Sequence, residues 1–330
     1  MLTPQVLCSE PIHEAGMQLI REVAGIVIAP DPSEETLVNL ISDADALIVR
    51  SSDVTARIIK AGKKLKVIGR HGIGIDNIDL ETATSMGVAV INTPLANVQS
   101  VAEHVLAMML CLCKRISKAD RALRSGLFNR PGSLPGLVNK LGYNAEELFG
   151  KTVGLVGFGK IGRRVGQMCK AGFDMQVYAY DKFLSEDHMR DAGVEPCNSL
   201  SRLFRRADFV SVHLPLTPGT KNLIGLDLLS LMKPTAFIIN TSRGGIINED
   251  DLCAVLKEKR IAGAAVDVFS QEPPPVNHPL FQLNNVIVTP HMAAMTDGAL
   301  ERMARDVAAG VVSVLRGEKP EFLVNPVVWD

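Results

Sequence analysis

Three polar side chains in the last third of the chain each follow an apolar run. Arg243 comes after AFIINTS, Glu272 shortly after AGAAVDVF, and His291 directly after NNVIVTP. Arginine offers a planar, permanently charged fork of donors that suits a carboxylate or a carbonyl. Histidine exchanges a proton near neutral pH, and a carboxylate beside it can tune that exchange. Singly, each reads as something ordinary: a surface charge, a turn acid, the first residue of a helix. The runs before them read as strands, and in a doubly wound sheet ligands bind beyond the carboxyl ends of the strands. The three residues therefore fall on one side of one sheet, where they form a candidate set for anion binding and proton transfer.

The stretch that organises this sheet is Lys151 to Asp181, KTVGLVGFGKIGRRVGQMCKAGFDMQVYAYD. Its order is strand, glycine turn, helix, strand, acid, and each part suits a dinucleotide. Gly157 allows the tight turn, Gly159 lets the backbone approach a pyrophosphate, and Gly162 lets helix and strand pack closely. Free N–H groups at the helix start, around Lys160 and Ile161, meet the phosphates together with the positive end of the helix dipole. Asp181, about twenty residues beyond the turn, accepts ribose hydroxyls and repels a 2′-phosphate.

Before that stretch, short β-type runs (Val6–Cys8, Ile26–Ala29, Ala46–Val49, Lys66–Gly69, Val88–Asn92) alternate with helix-period segments. Pro11, Ser33, Thr55 and Asp79 mark the helix starts. Such alternation implies a parallel sheet covered by helices on both faces. One long helix is expected from SVAEHVLAMMLCLCKRISKADRALRSG. Its first half is apolar all round, which places it between domains or at a subunit interface. Leu127–Gly150, with Pro131 and Pro135, reads as an irregular arm. Beyond Asp181 the alternation resumes, and a last helix (TDGALERMARDVAAGVVSVLRGE) is long enough to return to the first domain.

A net charge of −1 gives no electrostatic case for nucleic acid or an anionic membrane. No apolar run is long enough to cross a bilayer, and the N-terminus lacks the pattern of a signal peptide, so a cytoplasmic protein is expected. Cys111 and Cys113 point to different faces of a helix, a poor metal pair, and buried free thiols are the expectation for the six cysteines.

The motifs ALIVRSSDVT, GRHGIGIDNIDL, GVAVINTP, SVAEH, GLVGFGKIG, SVHLPLTPGTKNLI, INTSRGGIIN, GAAVDVFSQEPP and NVIVTPH, in this order, give the chain a resemblance to the D-2-hydroxyacid dehydrogenases. It is most similar to their phosphoglycerate dehydrogenase and hydroxypyruvate reductase group. The resemblance implies an α/β fold of two doubly wound Rossmann-like domains with parallel sheets and an inter-domain active-site cleft. Residues 1–98, completed by 296–330, would form the substrate domain, and 99–295 the NAD-binding domain. It further implies that Arg243 binds the substrate's carboxylate and carbonyl, that His291 donates the proton, and that Glu272 is its partner. Arg50-Ser51-Ser52 and His71-Gly72-Ile73-Gly74 match the substrate loops. Asp267 matches the contact to the nicotinamide amide, His213-Leu214-Pro215 the adenosine wall, and Thr241-Ser242-Arg243 the nicotinamide side.

The implied reaction is reversible hydride transfer between NAD(H) and a small 2-oxo or 2-hydroxy acid, of the 3-phosphoglycerate or glyoxylate/hydroxypyruvate type. No metal is expected, and a homodimer is. Ala293 and Ala294 stand where many relatives have glycine, and Val105 where many have threonine. The chain stops soon after its last helix, so feedback control by serine is not expected. Two other readings share the scaffold. A formate dehydrogenase resembles this family but has glutamine in place of Glu272. A corepressor-like NAD sensor keeps the same three residues, so only turnover of a 2-oxo acid separates it from an enzyme.

Overall fold

In the computed structural model, which describes residues 3–329, the apolar runs near the N-terminus become five parallel strands. The chain runs β1 (Gln5–Cys8), α1 (Glu14–Arg21), β2 (Gly25–Ile28), α2 (Glu34–Leu40), β3 (Ala46–Val49), α3 (Ala56–Ala61), β4 (Val67–Arg70), α4 (Leu80–Ser85) and β5 (Ala89–Ile91). The sheet order is β2-β1-β3-β4-β5. All four residues of β3 are buried, as expected for a parallel strand covered on both faces. Ser33, Thr55 and Asp79 cap α2, α3 and α4 with side-chain oxygens. Pro11 does not open α1. Its ring offers no acceptor for the free N–H groups, and the helix begins after His13, whose Nδ1 accepts from the Ala15 N–H at 3.2 Å.

The next stretch holds α5 (Val98–Cys113), α6 (Ile116–Arg124), α7 (Leu134–Lys140), β6 (Thr152–Val156), α8 (Lys160–Phe173), β7 (Gln176–Tyr180), α9 (Glu186–Asp191) and β8 (Glu195–Pro196). It continues through α10 (Leu200–Arg206), β9 (Phe209–Val212), α11 (Leu226–Leu229), β10 (Phe237–Asn240), α12 (Glu249–Lys257), β11 (Gly263–Val266) and β12 (Val286–Val288). Its seven strands lie parallel in the order β12-β11-β10-β9-β6-β7-β8. Strand order reverses between β6 and β9, and the glycine turn after β6 opens at that switch point.

The chain divides into two units, Val101–Ala293 and the remainder. The remainder includes α13 (Asp297–Leu315), which returns to the five-stranded sheet. Ala304, Val307, Val311 and Val314 of α13 recur at helical spacing and are buried, in a core with Val6, Ile48 and Val67.

Three expectations are corrected. The long helix is two: Arg115 takes a left-handed conformation (φ 56°) between α5 and α6, and its guanidinium donates to the Gly142 carbonyl at 2.8 Å. The apolar face of α5 is consumed inside the second unit, where Ala102, Val105 and Met109 share a core with Leu155, Val165 and Ile239. It is therefore not a face kept for a partner. The proline-bearing arm contains α7, because Pro135 lies in its first turn, where a missing N–H costs nothing, and Ser133 caps it. Burial pushes the Cys8 and Cys169 thiols up to about 12, so both stay protonated and inert. Among the described residues no helix is long and apolar enough to cross a membrane.

Candidate active site

The segment between β6 and α8 is shaped by its glycines. Gly157 has φ 95°, and a Cβ there would lie 2.6 Å from the His213 carbonyl oxygen, so only glycine fits the turn. Gly159 differs. A Cβ on it would meet nothing within 4 Å, so the protein's own packing does not demand a glycine there. Open space over that backbone is what a closely approaching phosphate needs. Ser185, Ser199 and Asn248 cap other helices of this unit with side-chain oxygens, whereas Gly159 leaves the first N–H groups of α8 free. An uncapped helix start after an open glycine fits the pyrophosphate of a dinucleotide. Lys160 is exposed and Ile161 partly buried in the first turn of that helix.

Asp181 follows β7 beside this turn. Its Oδ2 accepts from the Phe158 N–H and its Oδ1 from the Phe183 N–H, both at 2.9 Å. The carboxylate thus braces the glycine turn and keeps lone pairs for ribose hydroxyls. Across the switch point, His213, Leu214 and Pro215 follow β9. The Nε2 of His213 is buried with no hydrogen-bond partner, and burial lowers its pKa to about 4.

The turn after β10 carries Thr241, Ser242 and Arg243. Asn240 holds it from within: its Oδ1 accepts from Ser242 Oγ at 2.8 Å, and its Nδ2 donates to the Arg243 carbonyl at 2.9 Å. Thr241 Oγ1 is buried without a partner, an orphan hydroxyl on the side matched to nicotinamide. The Arg243 guanidinium donates to the Ser242 carbonyl at 2.7 Å.

Glu272 and His291 come together from turns after β11 and β12. His291 Nδ1 lies 2.8 Å from Glu272 Oε2, and Glu272 Oε1 accepts from the Phe269 N–H at 3.0 Å. Burial works to raise the Glu272 pKa. The hydrogen bonds from His291 and Phe269, with the charges of His291 and Arg243, outweigh it and hold the carboxyl below its usual value. Both side chains are half-exposed, so the free Nε2 of His291 is open to a ligand. His291 has φ 51°, a conformation fixed by the turn around it. Its N–H donates to the Asp267 carbonyl at 2.7 Å, and the next two N–H groups reach the Asp267 carboxylate.

Asp267 is completely buried and also accepts from Thr289 Oγ1 at 2.6 Å. It serves first as the hub of the His291 turn. His104 joins this hub, with Nε2 3.3 Å from Thr289 Oγ1 and 3.7 Å from Asp267 Oδ1. Sequence reasoning gave His104 and Thr289 no role. The signal was present, since both lie inside motifs, SVAEH and NVIVTPH, singled out for other residues.

The other matched loops lie in the first unit. Arg50 follows β3, half-buried, with its guanidinium 3.7 Å from Met295 Sδ. Ser51 turns its N–H and Oγ to the Glu10 carboxylate, at 3.3 and 3.1 Å. Ser52 is buried, its Oγ without a partner and its carbonyl accepting from Asn77 at 2.6 Å. His71 follows β4 and is only 4% exposed, with Nε2 unpartnered. The Arg70 guanidinium donates to its carbonyl. Gly72 has φ 142°, the Ile73 carbonyl accepts from Asn92 at 2.8 Å, and Gly74 completes the loop partly buried.

His71 is also held near 4, first by burial and then by the Arg50 and Arg70 charges. The sign follows from linkage. Folded His71 and His213 stay neutral to about pH 4, while unfolded histidine takes a proton near pH 6.5, so the unfolded chain binds more protons in between. Their stability contribution is complete above pH 6.5 or so and shrinks as pH falls towards 4. Each is expected to cost about 2 kcal/mol of stability between pH 7 and pH 5. Urea titrations at both pH values check this, and a His213→Gln variant with the wild-type pH dependence would remove His213 from the account.

Comparison with known proteins gives consistent findings. A family model described as "D-isomer specific 2-hydroxyacid dehydrogenase, NAD binding domain" matches residues 106–293. A D-3-phosphoglycerate dehydrogenase of Methanocaldococcus jannaschii is 41% identical over 97% of this chain, which covers 59% of that protein. A glyoxylate reductase of Korarchaeum cryptofilum is 37% identical over 98% of this chain and 96% of its own. Among solved structures, an acyclic imino acid reductase in complex with NADPH and D-arginine superposes with a TM-score of 0.85 at 29% identity, covering 97% of this chain and 99% of that one. The chain spans about three-fifths of the length of the first phosphoglycerate dehydrogenase it matches.

Proposed function

The chain belongs to the D-isomer specific 2-hydroxyacid dehydrogenase family, and from that premise we propose that it reduces a small 2-oxo acid, reversibly, with a nicotinamide cofactor. The observation that carries the reading is the 2.8 Å pairing of His291 Nδ1 with Glu272, within reach of the Arg243 charge. Bound NADH supplies the hydride at C2 of the substrate.

The chain's own residues do the rest. Arg243 pairs its guanidinium with the substrate carboxylate and carbonyl oxygen, which fixes the carbonyl carbon in place. As that oxygen gains negative charge, the same guanidinium stabilises it. His291, anchored through Nδ1, gives its Nε2 proton to the oxygen. Glu272, its carboxyl held below the usual range, accepts from Nδ1 and so orients the ring. In oxidation the same Nε2 takes the proton back. Arg50-Ser51-Ser52 and His71–Gly74 are the loops that the resemblance matches to the substrate, and Arg50 and Arg70 are cations suited to a charged substrate tail.

The names of the two curated relatives support the 3-phosphoglycerate couple and glyoxylate as the substrates to try first, and the resemblance of the sequence adds hydroxypyruvate. A panel of these with pyruvate and bulkier 2-oxo acids, under NADH and NADPH, tests the proposal. Turnover of at least one at ordinary enzyme rates is the expected result, and none across the panel would favour an NAD-binding sensor.

For the cofactor, Asp181 supports NADH. Its carboxylate would face a 2′-phosphate, with Lys182 as the neighbouring cation that softens the repulsion. Efficiency with NADH is expected to exceed that with NADPH by about tenfold or more. Equal efficiencies would remove Asp181 from the ribose. A homodimer remains part of the proposal, with the exposed apolar side chains Ile116 and Leu123 of α6 and Leu134 of α7 as its candidate face. A reducing, cytoplasmic setting suits the six free cysteines.

A further inference from the structure

Glu249 is the first residue of α12, where a carboxylate complements the helix dipole. Asp250 and Asp251 already do that, and Glu249 turns elsewhere. Its Oε1 accepts from the Ser270 N–H at 2.6 Å and its Oε2 from Ser270 Oγ at 2.9 Å. His278 Nε2 lies 3.1 Å from the same Oε2. His278 Nδ1 accepts from the Leu280 N–H at 3.3 Å, which leaves the ring proton on Nε2, where it donates to Glu249. The pair is well enclosed, with side chains 16% and 9% exposed. The Phe269 ring meets His278 edge-on at 5.3 Å and Phe281 at 5.8 Å.

Ser270 and His278 are the two ends of the loop that carries Glu272. Between them the loop is almost wholly exposed, Val276 at 95%, so little apolar burial holds it. One carboxylate thus fastens both ends. The Ser270 end is joined by a single peptide to Phe269, whose N–H donates to Glu272 Oε1. From the other side Gly244, next to Arg243, abuts the Phe269 carbonyl so closely that a Cβ there would collide with it. The Phe269–Ser270 peptide is therefore gripped between Gly244 and Glu249, and Glu272 hangs from the N–H of the same Phe269.

We propose that Glu249, through Ser270 and His278, is a positioning residue that fixes the Glu272 loop so that its carboxylate stays seated on His291. The inference rests on the dehydrogenase reading above. Glu249 itself touches neither substrate nor cofactor.

The test is a double-mutant cycle of Glu249→Gln with Glu272→Gln, measuring kcat, KM and NADH affinity. Glutamine is isosteric, but its amide nitrogen faces another donor at one end of the clamp, so at least one bond is lost. Glu249→Gln is expected to lower kcat about tenfold with NADH affinity unchanged. In the Glu272→Gln background the same change is expected to cost less than about twofold, since the group it positions is already gone. Equal losses in both backgrounds, or an unchanged kcat, would overturn the clamp. If the Glu249 variant does not fold, His278→Gln is read through the same cycle. The two levels separate. Full activity in Glu272→Gln and His291→Gln would overturn the active-site reading and the clamp with it, whereas loss there with additive Glu249 effects overturns the clamp alone.

Discussion

Replacement of His291 by glutamine is expected to lower kcat/KM for 2-oxo acid reduction by about 10²- to 10⁴-fold, the range for a lost general acid. Glutamine keeps the bulk of the ring and a polar end near Glu272, so the turn built on Asp267 has no reason to rearrange. It cannot deliver a proton at neutral pH. Steady-state rates in both directions, with NADH binding followed by fluorescence, decide the matter. Binding should persist while both directions slow together, because the same Nε2 donates in one and accepts in the other. A variant that keeps a substantial part of its activity would show that the proton comes from another group. Glu272 gives a second handle. Its carboxyl is held below the usual value, so the pairing with His291 should survive mild acid and fail only as pH falls below the ordinary glutamate range.

Arg243→Lys is expected to cost about tenfold to a hundredfold in kcat/KM, despite the conserved charge. One arm of the guanidinium donates to the Ser242 carbonyl, which helps to fix the plane of the fork. An ammonium has no plane. It can meet the carboxylate or the carbonyl oxygen, but not both in fixed geometry. Because the second contact strengthens as the carbonyl oxygen gains charge, much of the loss should fall on kcat. A lysine variant with near wild-type kinetics would show that Arg243 is not the anchor. A loss confined to KM would mean that it binds the substrate without attending the reaction.

The sequence was most legible where a single short stretch had one physical solution. Buried strands such as Ala46–Val49 and Gly263–Val266 are uninterrupted apolar runs, and Gly157 sits on a turn that only glycine fits. The two-residue strand β8, Glu195–Pro196, has no such run and could not be seen. The break between α5 and α6 was hidden because helical periodicity continues through Lys114 and Arg115, and a left-handed residue leaves no mark when it is not glycine. The apolar girth of α5 signalled burial but not in what. Side-chain partnerships across distance were the least readable. His291 and Glu272 could be paired only by resemblance, and the hold of Glu249 on Ser270 and His278 joins three ordinary residues that no spacing rule connects.

The return of α13 to the first sheet also has a consequence for how the protein is made. On the ribosome, Val6, Ile48 and Val67 emerge well before the residues that cover them, Ala304 to Val314. All of Val101–Ala293 is synthesised in between and can fold as a unit before then. The nascent chain therefore carries a half-covered apolar sheet until α13 emerges. That interval, rather than the finished protein, is when it has most need of a chaperone.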